Sequence, residues 1–166
     1  QSSAASDVYK RQITHLTNSV LTFSDLITNR KTDYKFDLEK FTNVNGKTGI
    51  YIQYSQVRAK KLKDTIDNQK EEIKELILNK TDKQLLSKLF LFSHYLEQSA
   101  LLNEPHHLAN YLYEISNLFN QFYENEKLTS ITDPNQIASK LYIINLFLTT
   151  SHNTMFCLGI LPVDEM

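Results

Sequence analysis

With 166 residues, 41% of them apolar and 22% charged, the chain can bury a core and is not compositionally disordered. Three Gly and three Pro leave few breakers, which argues against a many-turned β architecture. A formal net charge of −1 excludes a global polycation, so any nucleic-acid site has to be a local patch.

Residues 1–12 share neither the composition nor the pattern of the rest of the chain and are read as a non-native or truncated leader. Residues 13–28 place Ile13, Leu16, Val20, Leu21, Leu26 and Ile27 at helical intervals. Residues 29–36 are polar and irregular, Asp37 to Phe41 suit one short helical turn, and Asn45-Gly46-Lys47 reads as a loop. A long helix is predicted from near Thr48. Its second half, Asp64 to Asn79, is heavily charged around a thin seam of Leu62, Ile66, Ile73 and Leu76, as in a solvated helix or a helix plus linker. Thr81-Asp82-Lys83-Gln84 has the form of a capping box with Thr81 as N-cap, ahead of Leu85, Leu86, Leu89, Phe90, Phe92 and Leu96. Asn103-Glu104-Pro105 starts a further helix, because proline is tolerated only in a first turn; Leu108, Leu112, Ile115, Phe119 and Phe122 come after it at helical spacing. Asp133-Pro134-Asn135-Gln136 is the last start, with Asp133 as cap and Gln136 closing a box. Its helix runs through Ile137, Leu141, Ile144, Leu148 and Met155 to a stop at Gly159 and Pro162. Three capped starts, each leading into an apolar stripe, predict an all-α helical bundle with no internal repeat.

Cys157 is the single cysteine, which rules out an intrachain disulfide or a cysteine-based zinc cluster. Within Met155-Phe156-Cys157-Leu158 it is expected to pack as a small buried side chain, in a reducing compartment. The most apolar stretch, 141–148, is interrupted by Asn145 and falls short of the roughly 18 apolar residues of a membrane span; there is no signal peptide either.

The informative helix is Thr48-Gly49-Ile50-Tyr51-Ile52-Gln53-Tyr54-Ser55-Gln56-Val57-Arg58-Ala59-Lys60. At about 100° per residue, Tyr51, Tyr54 and Arg58 share an arc of roughly 60°, flanked by Ile50 and Val57 on one side and Ile52 and Ala59 on the other. Gln53, Gln56 and Lys60 lie opposite, which makes theirs the expected solvent face and puts Arg58 on the buried one. A guanidinium there needs partners for its donors. They can be a structural carboxylate, the faces of its own tyrosines, or a ligand such as an extruded base, for which stacking is worth roughly 1–3 kcal/mol.

Residues 46–58, Gly-Lys-Thr-Gly-Ile-Tyr-Ile-Gln-Tyr-Ser-Gln-Val-Arg, resemble the G-N-T-x-x-Y-x-Q-Y-x-x-x-R segment of arginyl-tRNA synthetases. In that family the segment joins the catalytic domain to an all-helical anticodon-binding domain. Phe23-Ser24-Asp25-Leu26, Asn29-Arg30 and Asp33-Tyr34-Lys35-Phe36-Asp37 look like the family's lead-in. Asn103-Glu104-Pro105-His106, Tyr111-Leu112 and Phe119-Asn120-Gln121-Phe122-Tyr123 resemble its E-P-H…Y-L…F-N-x-F-Y signature, and Leu158-Gly159-Ile160 and Met166 its close. The match covers about residues 15 to 166. It implies a helical bundle of the class I synthetase anticodon-binding type over 48–166, preceded at 13–47 by the tail of a catalytic domain.

The function so implied is recognition of arginine tRNA, chiefly of the middle cytosine of its anticodon. The corresponding positions are Tyr51, Tyr54, Arg58, Tyr111 and Met166, with Asn120 and Tyr123 as further candidates. Cytosine offers O2 and N3 as acceptors and arginine only donates, so the chemistry is consistent. Lys140-Leu141 stands where the family usually has Arg-Leu; lysine still suits a phosphate but lacks the bidentate fork. The stretch Asn145 and Thr149-Thr150-Ser151-His152-Asn153 is more polar than the family pattern. The resemblance further implies a cytoplasmic ligase whose partners are arginine tRNA and its own catalytic domain in cis, with neither DNA nor membrane. ATP and magnesium would serve the full enzyme and no cofactor this part. Neither the H-I-G-H nor the K-M-S-K-S type of signature is present, nor a phosphate loop or nucleophile motif, so no catalytic residue is assigned and the fragment is expected to be inactive alone.

Arg58, Lys60, Lys61 and Lys63 form a basic run that can meet phosphate or simply be balanced by Asp64 and Asp67 through i,i+4 pairing. His106 and His107 are adjacent and should point about 100° apart, with no carboxylate at ligand spacing, so no metal site is expected. Glu71, Glu72 and Glu75 read as a charged face. The competing reading, from a different class, is a helical protein–protein interaction module with Tyr51, Tyr54 and Arg58 sealed inside or engaging a protein.

Overall fold

Each helix start flagged in the sequence exists, though one is capped two residues early. The protein, a computed structural model, is described over residues 2–33, 35, 37–66, 75–125 and 131–166; Tyr34, Phe36, Asp67, Glu71, Glu72 and Ile73 lie outside that set. Its helices are α1 Ser2–Ile27, α2 Leu38–Phe41, α3 Gly49–Ile66, α4 Lys80–Leu89, α5 Phe92–Leu102, α6 His106–Asn125 and α7 Pro134–Cys157, with no strand among the described residues. α1 is continuous from Ser2 onward, so residues 2–12 extend the helix expected over 13–28.

The caps arise from side-chain chemistry. Thr48 Oγ1 takes the Tyr51 amide at 3.1 Å while its hydroxyl donates to the Asn43 carbonyl at 2.6 Å, which starts α3. For α4 the cap is Asn79, not the expected Thr81. Asn79 Oδ1 accepts the Asp82 amide and Asp82 Oδ2 accepts the Asn79 amide, each at 2.9 Å. Asp82 wins this role because its carboxylate also meets Lys140 inside the protein. Asp133 caps α7 as expected, taking the amides of Asn135 and Gln136. α7 ends with Ile160 N–H on the Met155 carbonyl and Gly159 N–H on Phe156, a closure that needs the φ of +71° at Gly159. The apolar run from Leu85 to Leu96 is broken at Phe90–Leu91 into α4 and α5, and Leu91 supplies no side-chain cap.

α3 and α6 form the centre. α3 packs against α1, α6 and α7, and α6 against α1, α3, α4, α5 and α7. Phe23, Ile52, Leu112, Ile115, Phe119, Ile143 and Phe147 are fully buried, and the Phe119 and Phe147 rings stack at 4.2 Å between α6 and α7. Gly49 lets α3 touch α1: a Cβ there would stand 2.3 Å from the Ser19 carbonyl oxygen. Gly49→Ala should therefore destabilise the bundle by about 1–3 kcal/mol, read as a lowered urea midpoint at unchanged slope; an unaltered midpoint would refute the close approach.

Candidate functional site

α3 buries Ile52, Val57 and Ala59 as its wheel suggests but departs from it at Gln53, Gln56 and Tyr54. Gln53 and Gln56, expected in solvent, are 0% and 2% exposed, whereas Tyr54 is 38% exposed. The reason is hydrogen bonding. Gln53 donates to Ser19 Oγ at 2.6 Å and to the Leu161 carbonyl at 2.7 Å, and its own carbonyl accepts the Val163 amide at 3.0 Å. Gln56 donates to Ser151 Oγ, and Lys60 pairs with Asp164 at 2.9 Å in place of the expected Asp64. An amide with both ends satisfied is a legitimate interior group, so this face holds α1, α7 and the segment after α7. The tyrosine–arginine face is left to form a surface.

On that surface a cavity of about 290 Å³ is lined by Val44, Asn45, Tyr51, Tyr54, Arg58, Asn117, Asn120, Gln121 and Glu124. It lies at the small end of ligand pockets, ~300–1,000 Å³. The Arg58 guanidinium lies over the Tyr54 ring at 4.7 Å and the Tyr123 ring at 4.3 Å, clamped between two aromatic faces. Its Nη1 donates to Asn120 Oδ1 at 3.3 Å and stands 3.7 Å from the Glu124 carboxylate, which is itself mostly exposed. Asn120 is fixed in turn by donating to Ser55 Oγ at 2.9 Å. Tyr51 donates to Asn117 Oδ1 at 3.3 Å and packs on Tyr113 at 5.6 Å; burial is the main force raising its phenol pKa, so it stays a neutral donor. The site thus presents a positioned cation, an adjacent anion and aromatic faces at one mouth, which suits a small planar polar ligand.

Of the residues named from sequence, Tyr51, Tyr54, Arg58 and Asn120 line this cavity and Tyr123 backs Arg58. Three others do not join them. Tyr111 is fully buried, donates its hydroxyl to the Leu89 carbonyl at 3.0 Å and stacks on Tyr95 at 4.8 Å; its phenol, pushed well above its ordinary pKa by burial, is a core group. Lys140 is buried against Asp82, both carboxylate oxygens lying 2.8 Å from its Nζ, so it is not placed to meet phosphate. Met166 lines a separate cavity with Tyr9, Ile13, Leu16 and Lys61. Asn117, Gln121 and Glu124 were not among the candidate site residues, although with Asn120 they form a polar stripe at i, i+3, i+4 and i+7 of α6.

One further expectation is corrected, and the spacing argument behind another does not hold. Cys157 is exposed, because α7 turns its Phe156–Cys157 edge outward in its last turn. The His106 and His107 rings stand only 4.1 Å apart, and Glu104, at the turn before α6, brings a carboxylate within 3.1 Å of His107 Nε2. The three residues offer ligand atoms all within 4.8 Å of one another, which the 100° argument missed because Glu104 precedes the helix. Glu104 is already paired with Lys31 at 2.8 Å.

A DALR anticodon binding domain matches this sequence over residues 52–166, the segment that runs from within α3 through α7 and holds the cavity-lining residues other than Val44, Asn45 and Tyr51. The chain belongs to that family. The chain is 32% identical to the arginine–tRNA ligase of Streptomyces coelicolor over 145 residues, 87% of the chain and 25% of that protein. It is 35% identical to the arginine–tRNA ligase of Francisella tularensis subsp. novicida over 129 residues, 73% of the chain and 22% of that protein. The chain thus spans about a quarter of the length of the relatives it matches. Its fold is that of solved arginyl-tRNA synthetases. The Thermus thermophilus enzyme aligns with a TM-score of 0.80 at 20% identity over 91% of this chain and 26% of that one. The Plasmodium falciparum enzyme gives 0.76 at 24% identity over 92% and 27%.

Proposed function

We propose that this DALR domain selects arginine tRNA by its anticodon, as the anticodon-binding portion of an arginine–tRNA ligase. The observation that carries the reading is the clamped Arg58 guanidinium at the mouth of a base-sized cavity, with Glu124 3.7 Å away. Arginine only donates, and ionised glutamate only accepts. Cytosine sets its N3 and O2 acceptors beside an N4 amino donor, so the pair matches its edge; glutamate accepting from N4 is an established pairing. Uracil reverses the groups at positions 3 and 4 and would set O4 against the carboxylate. Tyr51 and Tyr54 supply the faces for stacking.

Arginine activation with ATP and magnesium, and transfer to the tRNA 3′ end, would fall to the catalytic domain of such a ligase. No phosphate-binding loop in this sequence suits either group, and this portion alone should not aminoacylate. The expected compartment is the cytoplasm; no described helix is long and apolar enough to cross a membrane. Filter binding tests the reading. Arginine tRNA should bind at least about tenfold more tightly than a transcript whose middle anticodon cytosine is replaced by uracil, the discrimination typical of one good edge contact. Equal, weak binding of both would overturn it in favour of a protein-docking module.

A further inference from the structure

The base cavity adjoins a second, larger concavity. A groove of about 810 Å³ runs between α4 and α6, with Lys80, Lys83 and Lys88 along one wall and Leu118 and Gln121 on the other. On α4, Lys80, Lys83, Gln84 and Ser87 fall within an arc of about 100°, opposite the buried stripe of Leu85, Leu86 and Leu89. The two concavities share Gln121. On α6, Asn117, Asn120 and Glu124 face the base cavity and Leu118 the groove, and Gln121 lies on the helix between them.

The charge of the groove is one-sided. The whole chain has 19 acidic residues against 18 basic ones, yet no Asp or Glu is among the described residues that line the groove. Lys88 is engaged by Glu114 and donates to the Tyr95 hydroxyl at 2.7 Å. Lys80 and Lys83 are exposed and make no ion pair with a described residue. The Gln84 and Gln121 amides add neutral donors.

We infer that this groove carries the phosphodiester backbone of the strand that places its base in the Arg58 cavity, with Lys80 and Lys83 as its phosphate contacts. The inference rests on the anticodon reading above and extends it from one base to the chain leading away from that base. Phosphate contacts of this kind fix register and supply salt-dependent affinity with no sequence information, and base contacts supply the choice. The two functions should therefore separate.

The test uses the 166-residue chain and a stem-loop RNA with the arginine anticodon, beside one with its middle cytosine changed to uracil. Binding is followed by fluorescence anisotropy across a range of salt. Lys80→Ala with Lys83→Ala should bind the cognate loop about tenfold more weakly at low salt. The slope of log affinity against log salt should fall by about 1.4, or ~0.7 per lost contact on a single strand. The ratio between the two loops should stay as in the unaltered protein, and Lys80→Arg with Lys83→Arg should restore affinity and slope. Both lysines are exposed, so helicity by circular dichroism should not change. An unchanged affinity and slope in the alanine variant would overturn the groove while the base reading stands. Loss of the cytosine–uracil ratio in that variant would also overturn it, since the lysines would then act on the base. If the unaltered protein shows no such ratio but the alanine variant still loses affinity and slope, the base reading fails and the groove survives.

Discussion

Lys140→Ala is expected to destabilise the domain by about 3–5 kcal/mol, the range for breaking a buried ion pair from one side. Asp82 and Lys140 are 0% and 4% exposed. The ammonium lies 2.8 Å from both carboxylate oxygens and 5.3 Å from the centre of the Phe122 ring. Removing it would leave a carboxylate buried without its cation, and the same carboxylate caps α4 by accepting the Asn79 amide at 2.9 Å. The cost is thus shared between α7 and the start of α4, and both should fray together in urea. Replacing both partners, Asp82→Asn with Lys140→Met, removes the stranded charge and should recover much of the loss, because no buried charge remains and the asparagine oxygen can still accept the Asn79 amide. A single-variant loss below about 1 kcal/mol would show that water reaches the pair and that the role assigned to it is wrong.

That pair also shows where sequence reading runs out. Lys140 looked like a phosphate contact because Lys140-Leu141 stands where the family usually has Arg-Leu, and nothing local says that Asp82, 58 residues away, will meet it. Gln53 and Gln56 misled for the same reason. A glutamine looks outward until a distant segment offers it partners, here the Leu161 carbonyl and Val163 amide for Gln53 and the Ser151 hydroxyl for Gln56. Tyr111 was named for a base contact, yet its hydroxyl serves the Leu89 carbonyl that is freed where α4 stops. What was legible is what local chemistry fixes: the Asp133–Pro134 start, the Thr48 start, the Gly159 stop, and the grouping of Tyr51, Tyr54 and Arg58 at helical spacing on α3. The wheel grouped those three residues correctly and failed only on which face meets solvent. The break at Phe90–Leu91 left no trace, since Leu91 caps α5 with no side-chain bond.

Arg58→Ala should weaken binding of arginine tRNA by about 1–3 kcal/mol, roughly fivefold to 150-fold, and abolish the preference for cytosine over uracil at the middle anticodon position. The structural cost should be small, because Arg58 is not a core cation. Its side chain is 23% exposed and its carboxylate neighbour, Glu124, is 67% exposed, so no buried charge is stranded when it goes. Asn120 keeps its own anchor on Ser55. Helicity and thermal midpoint should accordingly stay near those of the unaltered chain, which separates a binding residue from a folding one. Arg58→Lys divides the remaining possibilities. Lysine keeps the charge but loses the planar fork and most of the stacking between Tyr54 and Tyr123. If Arg58 acts as a diffuse cation near phosphate, lysine restores both affinity and the cytosine preference. If it reads the base edge, lysine recovers part of the affinity at low salt and none of the preference, and Glu124→Gln lowers the same preference with little change in salt dependence. Cooperative unfolding of Arg58→Ala, or cytosine discrimination that survives it, would remove the guanidinium from the site and leave the cavity without the donor on which its selectivity depends.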